Sequence, residues 1–198
     1  MRSLPDLIRF NPEYRRFLKI KLLTMGIYVP APFLAIHALE TTGRGPGFLG
    51  ELVMVQMAGT IVGNILAGWF GDRHGGRVLL ITARLVLIVL CLGAVIAHSV
   101  TAFLALFFLF GFGLNCNEVG EATISLEIAP RDRRPTCVAL ITAVTLPGML
   151  LAVGLSTILR GLTSSIIPPA LLAIVTLATS LYLAFKIQEP RSSPVNRV

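Results

Sequence analysis

Charge is scarce in this sequence. Of its 198 residues only 14% are charged, while 55% are apolar and the mean hydropathy is +0.80. A water-soluble domain of this length needs far more polar residues to clothe its surface, so a soluble fold is excluded and the chain reads as an integral membrane protein. The three histidines, His37, His74 and His98, are scattered. Cys91 and Cys116 fall inside apolar runs and Cys137 at a helix start. None has a neighbour at metal-ligand spacing, so they read as small packing residues, with no disulfide framework and no metal site. There is no H-E-x-x-H pair, no glycine loop followed by Lys-Ser/Thr and no nucleophile elbow. The expectation is a protein without a cofactor that is not an enzyme. The alternating pattern of strands is absent as well, and the apolar runs are far longer than a barrel strand. Residues 1–15 are polar and basic and precede no short apolar core with a small-residue cleavage site, so no cleavable signal peptide is expected.

What the sequence does have is six long apolar runs, at about 16–40, 47–71, 77–97, 101–126, 135–159 and 164–187, each near the roughly 20 residues that cross a bilayer core. The loops are short, so neighbouring helices are antiparallel and the expected fold is an all-α six-helix transmembrane bundle over residues 16–187, with a polar segment at 1–15 and a tail at 188–198. The basic residues are distributed unevenly. Six lie in the N-terminal segment (Arg2, Arg9, Arg15, Arg16, Lys19, Lys21), two in the second–third loop (Arg73, Arg77), three in the fourth–fifth loop (Arg131, Arg133, Arg134) and three at the C-terminus (Lys186, Arg191, Arg197). All fall on one side of a six-span topology. Only Arg44 and Arg160 fall on the other, and Arg84 lies within the third run. By the positive-inside rule both termini are cytoplasmic, in a plasma or cell inner membrane. The net charge of +7 has the same origin. Nucleic-acid binding is disfavoured, because the charges flank apolar runs and form no continuous stripe with interleaved aromatics.

Between the second and third runs stands GWFGDRHGGR, Gly68 to Arg77. Gly71, Gly75 and Gly76 would allow the positive φ of a tight reversal. This segment resembles the loop signature of the major facilitator superfamily of secondary transporters, G-x-L-a-D-r-x-G-r-k/r, matched at Gly68, Asp72, Arg73, Gly75 and Arg77. Phe70 replaces the leucine and Gly76 the first closing basic residue. The resemblance implies a transporter of small solutes that works by alternating access, with Asp72 acting as a cytoplasmic latch against a helix of the opposite half.

Members of that family usually have twelve spans in two six-span halves. Here the six resemble the second half. LPDLIRFNPEYR, residues 4–15, is similar to the end of a linker between halves. Glu189 to Arg191, EPR, is similar to the exit from a last helix, and EIAPRDRRPTCVAL, residues 127–140, to the loop before an eleventh helix. A truncated gene, a split transporter whose other half is a separate chain, and a self-pairing unit are all open. A second six-helix bundle or a homodimer is therefore the expected partner, besides membrane lipid and a solute that the sequence does not name. A non-transporting membrane interaction subunit is the alternative.

Polar groups inside the spans are the candidate site. Pro30 and Pro32 lie about 20 Å along the helix from Arg16, near mid-membrane, where a broken helix would place Tyr28 beside freed carbonyls. Gln56 lies at similar depth in the second run. The row Gly59, Gly63 and Ala67 reads as a helix-packing stripe. Tyr28, Gln56 and Asn115 are taken as a substrate-cavity set. In the fourth run Asn115, Glu118 and Glu121 recur at spacing three. Glu118, Glu121 and Arg84 are candidates for ion coupling or gating, since ionisable groups in a span are costly. An Arg84–glutamate pair is geometrically open to either a structural or a gating role, and Glu121 is expected near the headgroups. The sixth run is given no site.

Overall fold

Proline shapes the first span. Helix α1 (Pro12–Thr24) passes into a 3-10 turn, Met25–Tyr28, and α2 (Ala31–Thr42) begins only after Pro30. Neither Pro30 nor Pro32 has an N–H to continue the ladder. The Val29 N–H therefore bonds the Gly26 carbonyl at 3.2 Å, and the Leu34 N–H bonds the Pro30 carbonyl at 3.1 Å. Gly43, at φ 65°, ends α2 in the left-handed region. Then follow α3 (Phe48–His74), α4 (Gly76–Ile96), α5 (Val100–Ile128), α6 (Arg134–Thr163) and α7 (Ile167–Phe185). The computed structural model describes residues 12–128, 134–163 and 165–186. For residues 12, 13, 72, 134–138, 140 and 160 it describes the backbone alone. The linker-like segment before residue 12, the loop at 129–133 and the tail after 186 lie outside the described residues, as does the side chain of Cys137.

Among the described residues there is no strand, and six helical stretches are long and apolar enough to cross a membrane: Tyr14–Thr42, Phe48–Gly71, Gly76–Ile96, Val100–Ile128, Ile141–Thr163 and Ile167–Phe185. The main core lies among α2, α4, α5 and α7, around Leu34, Leu87, Phe103 and Leu177. α5 is the central post, with α3 on one side and α4 on another; α4 in turn packs on α7, and α7 on α1.

The α3–α5 contact is made by missing side chains. A Cβ on Gly59 would overlap the Phe108 carbonyl, and one on Gly111 would overlap the Gln56 carbonyl. The two helices therefore meet backbone to backbone, which is how small residues hold helices together where lipid removes the hydrophobic drive. Ala67, fully buried, continues the same row.

The reversal between the second and third spans is tighter than the sequence suggests. α3 runs on to His74 and α4 starts at Gly76, so a single residue, Gly75, makes the turn at φ 81°. Gly71 and Gly76 are helical, and the expectation of positive φ at them is corrected. Gly76 has to be small for another reason, since a Cβ there would lie 2.8 Å from the Ile124 side chain and 3.1 Å from the Gly120 carbonyl.

Burial is uneven. Half of the fourth span is buried within the bundle, against 22% of the second and 17% of the fifth. Met54, Met57, Ile61, Ile65 and Trp69 form one exposed apolar stripe on α3, and Leu150, Leu151, Ile158 and Leu162 are exposed on α6.

Candidate functional site

Arg84 organises the polar interior. It is 0% exposed. Its position on α4 faces α5, α7 and the end of α1, and its guanidinium reaches all three. Nη1 donates to Asn117 Oδ1 at 2.5 Å and to the Leu80 carbonyl at 3.3 Å. Nη2 donates to Thr24 Oγ1 at 2.8 Å and to Glu121 Oε1 at 3.3 Å. Nε donates to Ser180 Oγ at 3.3 Å. Thr24 and Ser180 hydroxyls lie 3.1 Å apart, and each also donates to the Ile20 carbonyl. A planar fork of five donors is the side chain that can satisfy so many acceptors in fixed directions.

Glu121 is shared. One oxygen faces Arg84; the other accepts from Lys21 Nζ at 2.6 Å. It is 4% exposed, so its side chain lies inside the bundle and does not face outward. A carboxylate so buried is tolerable only because two cations hold it. Lys21 and Glu121 also form one wall of a cleft of about 400 Å³ between α1, α5 and α6. Glu118, Ser125 and Thr142 line the same cleft. Glu118 and Thr142 are exposed and Ser125 is buried. Lys21, Arg84, Glu118 and Glu121 together carry no net charge, but the two cations converge on Glu121 and leave Glu118 as the charge presented to the opening.

The three cavity candidates are not brought to this cleft; none of them lines it. Tyr28 is half-buried in the proline break and packs on the main core. The Gln56 carbonyl lies in the α3–α5 contact and accepts the Thr60 hydroxyl at 3.1 Å. Asn115 is 8% exposed on the α5 side of that contact, where a Cβ on Gly63 would sit 3.2 Å from its own Cβ. Its Oδ1 has no hydrogen-bond partner among the described residues. Asn117, two residues on and so on the opposite side of α5, is the asparagine that the network uses.

Several participants were not legible as site residues. Lys21 reads in the sequence as one more flanking cation, and Thr24 as an ordinary span residue. Ser180 belongs to the run given no site. Ser156 of α6, 0% exposed, donates to the Val29 carbonyl that Pro32 and its neighbours leave outside the ladder. For Lys21, Thr24 and Ser180 the available signal was their position: a hydroxyl or ammonium inside a span near the level of Arg84.

The residues of the α3–α4 turn are partly committed within the bundle. Arg77 Nη2 donates to the Phe185 carbonyl at 2.6 Å, and Arg16 Nη1 to the Lys186 carbonyl at 3.3 Å, so two guanidiniums close the C-terminus of α7. Cations there also complement the helix dipole. Arg73 is exposed and lies 5.4 Å over the Trp69 ring. A Cβ on Gly68 would meet nothing within 4 Å. The Asp72 side chain lies outside what the structure describes. Among the described residues no group of three His, Cys, Asp or Glu could hold a metal.

Residues 21–198 match the Major Facilitator Superfamily. The chain is 29% identical over 122 residues to a proposed metabolite transport protein of Bacillus subtilis (strain 168), covering 61% of this chain and 25% of that protein. It is 28% identical over 161 residues to synaptic vesicle glycoprotein 2A of Rattus norvegicus, covering 77% and 21%. Against a glucose facilitated diffusion protein of Zymomonas mobilis it is 26% identical over 121 residues, covering 57% and 25%. The chain thus spans a quarter or less of the length of these relatives. With six apolar helical spans, a matching loop at Gly68–Arg77 and a family match over nearly its whole length, this multi-pass membrane protein belongs to the Major Facilitator Superfamily, whose members are transporters and not enzymes.

Proposed function

We propose that this bundle is one half of a secondary transporter that moves a small solute by alternating access, in a plasma or cell inner membrane with both termini cytoplasmic. The observation that carries this reading is the cleft between α1, α5 and α6. It is lined by Lys21, Glu118 and Glu121, is backed by Arg84, and is open to the outside of this bundle. Charged groups facing an opening at membrane depth need either water or a second protein surface. Elsewhere on the bundle α3 and α6 keep under-buried faces, and an added Cβ at Gly68, Gly154 or Gly161 would meet nothing within 4 Å. A second six-helix bundle, or a second copy of this chain, supplies the other wall. Glu118 and Glu121 are the candidates for ion coupling or gating. Asp72 is the candidate latch, closing against a helix N-terminus of the partner bundle.

The test is the mass of the chain in mild detergent together with solute flux in liposomes. A dimer, or a complex with a six-span partner, supports the reading. A stable monomer that transports overturns it. In an assembly that transports, Asp72→Asn should shift the balance between inward- and outward-open states; an unchanged balance and rate would remove the latch.

A further inference from the structure

Beyond that reading, a second opening lies on a different face. α3 and α4 diverge from the Gly75 turn and leave a groove of about 120 Å³, lined by Leu66, Phe70, Val78, Thr82, Phe112 and Cys116 among others. It starts about 3 Å from the start of α4, at Val78, and reaches about 9 Å down, at Thr82, at 1.5 Å per residue. Its walls are apolar, and Phe70 and Val78 are exposed to the outside of the bundle. At its mouth the chemistry changes. The His74 ring lies 5.8 Å from that of Phe70 and the Trp69 ring 4.8 Å from it, while the Arg73 guanidinium lies over Trp69. Arg73 and His74 are both exposed. The Arg77 head group, at the same level, is turned to the Phe185 carbonyl and is not free. An apolar slot that begins at the end of two membrane spans, capped by an exposed guanidinium on an interfacial tryptophan, has the two-part chemistry of a phospholipid.

We infer that this groove is a site for an anionic phospholipid of the leaflet on the side of the α3–α4 turn. The upper part of one acyl chain lies between Phe70 and Val78, and the phosphate faces Arg73, with His74 beside it. The apolar walls select a chain over water, and the Arg73 charge selects an anionic headgroup over a zwitterionic one. Asp72, adjacent in sequence, opposes that selection, so the preference rests on Arg73 and is at most that of one basic residue, about 1 kcal/mol or about fivefold.

The experiment is native mass spectrometry of the full chain in mild detergent with phosphatidylglycerol or phosphatidylcholine added at equal concentration. The unaltered chain should retain phosphatidylglycerol better, by up to about fivefold. Arg73→Gln, at an exposed position, should abolish that preference while leaving some binding of both lipids. Val78→Trp, which fills the groove from its exposed side, should reduce binding of both. Circular dichroism of each variant checks that the bundle is intact. Glycerol 3-phosphate should not displace the lipid; displacement would mean that phosphate alone is read and would overturn the groove. Equal retention of the two lipids by the unaltered chain, or a preference surviving Arg73→Gln, would overturn the headgroup assignment. None of these readouts depends on solute flux, so the inference and the proposed transport function fail separately.

Discussion

Replacing Arg84 by methionine is the sharpest test of how this bundle is held together. Methionine is flexible and apolar and fills much of the same space, so the change removes charge and hydrogen bonds with little cavity. Asn117 loses its donor and Glu121 loses one of its two cations. Thr24 and Ser180 keep the Ile20 carbonyl as acceptor. Breaking a buried ion pair from one side costs about 3–5 kcal/mol. Lys21 still holds Glu121 at 2.6 Å, which places the loss at the lower end, about 3 kcal/mol. For a chain of this length that lowers the unfolding midpoint by roughly 6–12 °C. A thiol-reactive dye in detergent, on a Cys116→Ser, Cys137→Ser background, reads it directly, because Cys91 is buried in the main core and reacts on unfolding. Glu121→Gln should cost less, since Arg84 keeps Asn117, Thr24, Ser180 and the Leu80 carbonyl. Arg84→Met with Glu121→Gln should cost less than the two changes added, by about 1–3 kcal/mol, because the second removes the charge stranded by the first. A midpoint unmoved by Arg84→Met, or strict additivity of the pair, would refute the claim that a buried carboxylate depends on this guanidinium.

Three further outcomes follow from the geometry. Gly111→Val drives a side chain into the Gln56 carbonyl and should destabilise the bundle by about 1–3 kcal/mol, whereas Gly154→Ala, at a position with nothing within 4 Å, should be neutral or slightly stabilising in the same dye assay. Ser156→Ala leaves the Val29 carbonyl unpaired in the proline break and should cost about 1 kcal/mol, and Ser156→Cys should recover little of it because a thiol is a weak donor. Single cysteines placed at Gly45 and Ser192 should be labelled by an impermeant reagent from opposite sides of the membrane; labelling of both from one side would reject the six-span topology.

The class of fold was carried by quantities that any folded form of this chain has to respect. Six apolar runs with scarce charge admit only spanning helices, because unpaired backbone groups are too costly in lipid. The break at Pro30 was legible because proline removes the same N–H wherever it sits. The match at Gly68, Asp72, Arg73, Gly75 and Arg77 pointed to the family on local order alone. The composition of the site was not legible in the same way. Spacing along α5 put Asn115, Glu118 and Glu121 on one side of a helix. It could not say that Asn115 turns to Gly63 on α3, that Glu118 faces the cleft, or that Glu121 lies under Lys21 and Arg84. Those assignments depend on how close α3, α4 and α5 approach, which Gly59, Gly111 and Gly120 decide by what they lack. Ser180 and Thr24 became partners of Arg84 only because α7 and α1 cross the same level of the bundle, from positions 156 residues apart. Sequence determines which groups must be satisfied inside a membrane; only the packing of helices distant along the chain decides which neighbours satisfy them.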